Sequence, residues 1–193
     1  SLLFLIGTTC GILTNLHLHP DERRLDALLR QADEQMRTAL RALAEAADAR
    51  NPLILLGETL RQADECAAKN AENSLTDVPT REIHYINMRR QQRRILLQVT
   101  QDAQKVQGHP PQEAQVRALI GRIFAEYDRE NDCTSLLSAL HDLLAEMQRQ
   151  PLPATRGEFE DRALLYVLLR RMEDFLLLKR EFYETYGFEK ITN

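Results

Sequence analysis

The chain has 193 residues, a formal charge of −4 and a pI near 5.8. That length supports one good core or two small ones, and the acidic balance argues against a nucleic-acid partner, which calls for a basic excess or stripe. Seven glycines, no tryptophan and abundant Leu, Ala, Gln, Glu and Arg favour helix throughout. Cys10, Cys66 and Cys133 form no CxxC pair, so neither a zinc site nor a redox motif is indicated.

The first element is an uncharged run, Leu2 to Leu18, that stops at His19-Pro20. A bilayer-spanning helix needs about 17–25 apolar residues. The run sits at that lower limit and contains Thr8, Thr9, Thr14 and Asn15, so it fits best as the C-terminal part of a span. It lacks the basic n-region of a signal peptide. Arg23, Arg24 and Arg30 follow it, and a basic flank marks the cytoplasmic end of a span. The expectation is a division at residue 19. Residues 1–19 form the end of a transmembrane helix, cut from a membrane domain upstream, and residues 20–193 form a cytoplasmic helical domain. A buried helix of a soluble domain is the competing reading.

Pro20-Asp21-Glu22 opens the next helix, with proline early and acids in the first turn. Its apolar positions Leu25, Leu28, Ala32, Met36, Ala39, Leu43 and Ala46 recur every three or four residues and so share a face. Asn51-Pro52 reads as a stop and a new start, Asn as N-cap and Pro at the first helical position. The second face is Leu53, Leu56, Leu60, Ala63 and Ala67. A third helix opens at Asp77–Thr80 and is expected to run to Gly108, where His109-Pro110-Pro111 forbids continuation. Two shorter helices are marked by Val116, Leu119, Ile123, Tyr127 and by Leu136, Leu140, Leu143, Met147.

After the stiff connector Pro151-Leu152-Pro153, Thr155-x-x-Glu158 is a capping box. The Thr155 hydroxyl should accept from the Glu158 amide, and the Glu158 carboxylate should reach back to the Thr155 amide. The last helix then runs to about Tyr186, with Gly187 as its stop. Its positions Leu165, Leu168, Met172, Phe175, Lys179, Phe182 and Tyr186 follow the bundle rhythm of three and four. The predicted architecture is an all-α antiparallel bundle of about five to six helices, several of them long, preceded by the end of a transmembrane helix.

Two features of the third helix invite a functional reading. Gln92 lies in an otherwise apolar stripe with Tyr85, Met88, Ile95 and Val99, so its buried amide needs a partner on another helix, a water or a ligand. Arg89, Arg90, Arg93 and Arg94 spread four guanidinium groups over a broad sector. These could pair with the chain's own acids, such as Asp64, Glu65, Glu173 or Asp174, with anionic headgroups, or with an organic acid. His17-x-His19-x-Asp21 is interrupted by Pro20 and has no further ligand to complete a metal site. Asp128, Glu130 and Asp132 lack the glycine an EF-hand loop requires. No glycine-rich phosphate loop and no nucleophile motif occurs, so no enzyme class and no cofactor is predicted.

Three blocks resemble the C-terminal cytoplasmic domain of the putative aromatic acid exporter family of bacterial inner-membrane proteins. They are LIGTTCGILTNLHLHPDERRL, YINMRRQQRRIL at Tyr85–Leu96, and PLPATRGEFEDRALLYVLLRRMEDFLLLKREFYETY at Pro151–Tyr186. In the second block Tyr85, Met88, Arg89 and Gln92 match the family pattern; Arg90, Arg93 and Arg94 lie outside it. The resemblance implies a multi-span membrane domain upstream as the principal partner. The interrupted membrane segment and the long apolar last helix lead to the expectation of a non-catalytic role in subunit assembly or gating, within a homo-oligomer on the cytoplasmic side of a bacterial inner membrane. An alternative is a sensor in which Tyr85, Arg89 and Gln92 hold an aromatic carboxylate, and a further one is a soluble helical scaffold or adaptor.

Overall fold

The computed structural model describes residues 20–72, 81–128 and 131–187. The expected transmembrane exit and the His17/His19 pair lie outside these residues. Among the described residues there are six helices and no strand: α1 Pro20–Ala44, α2 Arg50–Glu72, α3 Arg81–Ala103, α4 Pro111–Glu126, α5 Thr134–Arg149 and α6 Arg156–Tyr186. No helix among the described residues is long and apolar enough to cross a membrane.

The periodic stripes become the core. Leu29, Met36 and Leu40 of α1, Leu53, Leu56 and Leu60 of α2, and Leu169, Met172 and Phe175 of α6 are fully or almost fully buried. Each stripe faces the core, and each helix packs on at least two others. α1 lies against α2 and α4, α3 against α2 and α6, and α5 against α4 and α6. Cross-helix contacts show that α3 and α6 run antiparallel. Along α3, Arg81 meets Gly187, Gln92 meets Phe175 and Asp102 meets Arg171. Asp161, near the start of α6, then receives the amides of Gln107 and Gly108 at 3.0 and 2.7 Å.

Several helix ends differ from the sequence reading. α2 begins at Arg50, and its amide is held by the Asp48 carboxylate at 2.9 Å. Asn51 is therefore inside the first turn, and Pro52 still falls where an amide hydrogen has no helical acceptor. α3 stops at Ala103, short of Gly108: a turn bond from Lys105 to Asp102 closes it, and Asp161 then binds the amides of 107 and 108. Gly108 permits that approach, since a Cβ there would stand 2.7 Å from the Asp161 carboxylate. The Thr155 hydroxyl accepts from the Glu158 amide at 3.1 Å as predicted, but the Glu158 carboxylate binds the Ala154 amide at 2.8 Å, one residue earlier.

α1 ends at Ala44, so Ala46 is no longer part of its apolar face and is exposed. The Ala47 amide donates to Ala42 O at 2.8 Å and the Ala46 amide to Leu43 O at 3.4 Å. That is a Schellman cap, which needs a left-handed residue at its centre. Ala46 supplies it at φ 60°, where a Cβ is strained by about 1–2 kcal/mol. Ala46→Gly should therefore raise unfolding stability by about 0.5–1 kcal/mol after allowing for glycine's extra unfolded-state entropy, measured as a shift in urea midpoint.

Candidate functional site

A polar cluster is buried where α1, α3, α6 and the end of α4 converge. Its centre is Arg89, which is 1% exposed. Burial opposes its charge, but the Tyr127 and Tyr85 hydroxyls and the Asp33 carboxylate hold the guanidinium charged, well above its ordinary pKa. Arg89 Nη2 donates to Asp33 Oδ1 at 2.7 Å and to the Tyr85 hydroxyl at 2.6 Å. Nη1 donates to Gln92 Oε1 at 2.8 Å and to the Tyr127 hydroxyl, and Nε donates to Tyr85 at 3.1 Å. Both tyrosine rings also lie within cation–π range of the guanidinium, at 4.8 and 5.1 Å.

Tyr85 and Tyr127 are polarised in the same direction. Tyr85 donates its hydroxyl hydrogen to Asp33 Oδ1 at 2.5 Å, and Tyr127 donates to Gln92 Oε1 at 2.8 Å. Burial raises the pKa of both phenols, so they remain neutral donors. Gln92 completes the network by donating from Nε2 to Phe175 O on α6 at 2.8 Å. Its partner is thus another helix, one of the possibilities its place in the stripe left open. The three residues singled out from the sequence, Tyr85, Arg89 and Gln92, are brought together in one network.

Lys179 forms a second buried cation nearby. It is fully buried and donates to the carbonyl of Asn131 at 2.7 Å and to that of Asp128. Its Nζ lies 4.7 Å from the centre of the Tyr127 ring. Burial lowers its pKa to about 8. Asp33, Tyr127 and Lys179 were not assigned to a site from the sequence. Lys179 carried a legible signal, a cation on an apolar stripe like Gln92; Asp33 carried none, being one position off the buried face of α1.

The other arginines of α3 have separate roles. Arg90 pairs with Asp64 at 2.9 Å, one of the anticipated acids. Arg93 lies across α2 and donates to Leu53 O at 2.5 Å. Gly57 makes room for it, since a Cβ there would fall 2.7 Å from the guanidinium carbon. Arg94 is exposed. Glu65 is engaged by Arg61, and Glu173 by Arg170 and His141, so these acids do not serve the α3 arginines.

An open groove of about 560 Å³ reaches this cluster from outside, between α1 and the end of α4. Arg89, Tyr127 and Asp33 contribute to its inner wall, and Arg30, Glu34, Arg37 and Asp128 to its rim. Arg37 is fixed by donation to Tyr127 O at 2.7 Å and by stacking over Phe124. The Arg89 guanidinium and Tyr127 phenol at the groove's inner wall are of the kind that hold an oxyanion, and here they are engaged by Asp33 and Gln92. Among the described residues no three His, Cys, Asp or Glu side chains converge to hold a metal.

Comparison with known proteins places the chain beside a family model, a curated relative and a solved structure. The family model for the putative aromatic acid exporter C-terminal domain covers residues 16–180. YqjA, an uncharacterised protein of Bacillus subtilis (strain 168), is 24% identical over 93% of this chain. The match takes up 58% of YqjA, so the chain spans little more than half the length of that curated relative. The crystal structure of a putative membrane protein from Clostridium difficile 630 shares the fold, with a TM-score of 0.75 and 23% identity over 84% of this chain and 98% of that one.

Proposed function

Because the chain belongs to the putative aromatic acid exporter C-terminal domain family, we propose that it is the non-catalytic cytoplasmic part of a bacterial inner-membrane exporter, acting in subunit assembly or gating. The observation that carries this reading is the ion pair between Asp33 on α1 and buried Arg89 on α3. α1 follows directly on the apolar run of residues 2–18. In this reading the run is the end of a membrane helix, and α1 is the rod that joins membrane to bundle. Asp33 lies 13 residues into α1, about 20 Å along its axis. A shift of the membrane helix would strain the Asp33–Arg89 contact first, because a buried pair does not stretch without leaving a charge uncompensated. The cluster thereby couples α1 to α3, α4 and α6.

The test uses the full-length parent protein, reconstituted in liposomes and assayed for efflux of aromatic acids. Arg89→Lys should still insert and assemble as a homo-oligomer, judged by membrane fractionation and mass in detergent, yet transport several-fold more slowly. Recovery of the parent in the soluble fraction would end the reading. Wild-type efflux by a correctly folded Arg89→Lys protein would remove the coupling role.

A second reading is favoured by the groove. Its opening onto Arg89 and Tyr127 suits a sensor that binds an aromatic carboxylate and reports substrate load, with Tyr85 and Gln92 supporting the arginine.

A further inference from the structure

All five hydrogen bonds of the Arg89 guanidinium described above go to the protein itself, and the carboxylate it binds belongs to α1. A carboxylate ligand entering the groove meets that arrangement already complete. Asp33 stands at the boundary: its side chain is 16% exposed where that of Arg89 is 2% exposed, and it forms part of the groove wall. Release of Asp33 would take it toward the groove it lines, whereas Arg89 is held by two tyrosines and a glutamine on its other sides. The donors aimed at Asp33, Arg89 Nη2 and the Tyr85 hydroxyl, would then face the groove. Arg37 and Arg30 on its rim add positive charge, balanced by Glu34 and Asp128.

Building on the sensor reading above, we infer that the groove is a site for a small organic monocarboxylate whose carboxylate exchanges with that of Asp33 on Arg89. The exchange releases α1. Asp33 acts as a built-in competitor, held against Arg89 by the fold itself. Binding to the wild-type protein is therefore weak, and any ligand that succeeds must also break the contact that ties α1 to α3. No bond is made or broken covalently; one carboxylate replaces another on the same donors.

The experiment uses the chain described here, with benzoate, acetate and inorganic phosphate as probes, read by calorimetry and by amide hydrogen exchange. Benzoate should bind the wild-type chain weakly and reduce exchange protection around Asp33 in α1. Asp33→Asn should bind benzoate at least tenfold more tightly, because the competing charge is gone. Its melting temperature should rise with benzoate more than that of the wild type does. Arg89→Lys, which keeps the charge but loses the planar fork, should bind at least tenfold more weakly.

Failure at different points has different meanings. If benzoate binds but Asp33→Asn gains nothing, or α1 keeps its protection, the exchange is overturned while the sensor survives. If no carboxylate binds either protein, both fail. If phosphate binds as tightly as benzoate, the site is not one for carboxylates. None of these outcomes touches the proposed membrane coupling, which the efflux assay decides separately.

Discussion

Asp33→Leu is expected to lower the unfolding free energy by about 3–5 kcal/mol, the usual cost of stranding one member of a buried ion pair. The stranded group would be the Arg89 guanidinium, which has almost no access to water. Tyr85 would lose its acceptor in the same step. Arg89→Met should cost less, about 2–3 kcal/mol, because Asp33 lies at the groove and can hydrate. The double variant Asp33→Leu, Arg89→Met should then be more stable than the sum of the single effects by about 1–3 kcal/mol. Urea midpoints at constant m-value give these numbers directly. A cost below about 1 kcal/mol for Asp33→Leu would show that the pair does not tie α1 to the bundle, and the coupling proposal would lose its basis.

Stability should rise with pH just above 8, opposite to the trend expected from the buried acids of this protein. Lys179 has a folded pKa of about 8 against 10.5 for an ordinary lysine, because burial disfavours the ammonium. Between those values the unfolded chain binds more protons than the folded one, so unfolding free energy increases with pH. The slope is at most about 1.4 kcal/mol per pH unit for one group. Burial also raises the pKa of Cys133, Tyr85 and Tyr127. Those acids act with the opposite sign: their unfolded forms lose protons first, near pH 9 for the thiol and near 10 for the phenols, and stability falls from there. The wild-type profile should therefore climb by about 1 kcal/mol from pH 8 to 9, flatten, and decline above pH 10.

Lys179→Met should abolish the climb and leave the decline. The difference between the two profiles should change by about 3 kcal/mol from pH 7 to 10.5, followed by urea unfolding at each pH. Parallel profiles for the two proteins would show that Lys179 titrates as an exposed lysine does, and that the Asp128 and Asn131 carbonyls do not enclose it.

The helices and their buried faces were legible because a period of three to four residues is a local property, needing no knowledge of what lies opposite. Leu25, Leu28, Ala32, Met36, Ala39 and Leu43 are all buried as their spacing required. The Thr155 cap and the Gly187 stop were legible for the same reason, since each is a bond within four residues. Boundaries that depend on another helix were not. α3 ends early because Asp161, some fifty residues away, takes the amides of 107 and 108.

For the polar cluster, the sequence by itself determined that Gln92 would be buried and that Arg89 and Tyr85 would share its side of α3. Tertiary structure alone decided the partners. Acids such as exposed Glu65 and half-buried Glu173 were taken by arginines three or four residues away on their own helices, where ordering a contact costs little. Arg89 faces the core, out of reach of such neighbours, so only an acid that packing carries to the same interior could neutralise it. Asp33, 56 positions away, is that acid, because the α1 stripe turns it toward the junction of three other helices.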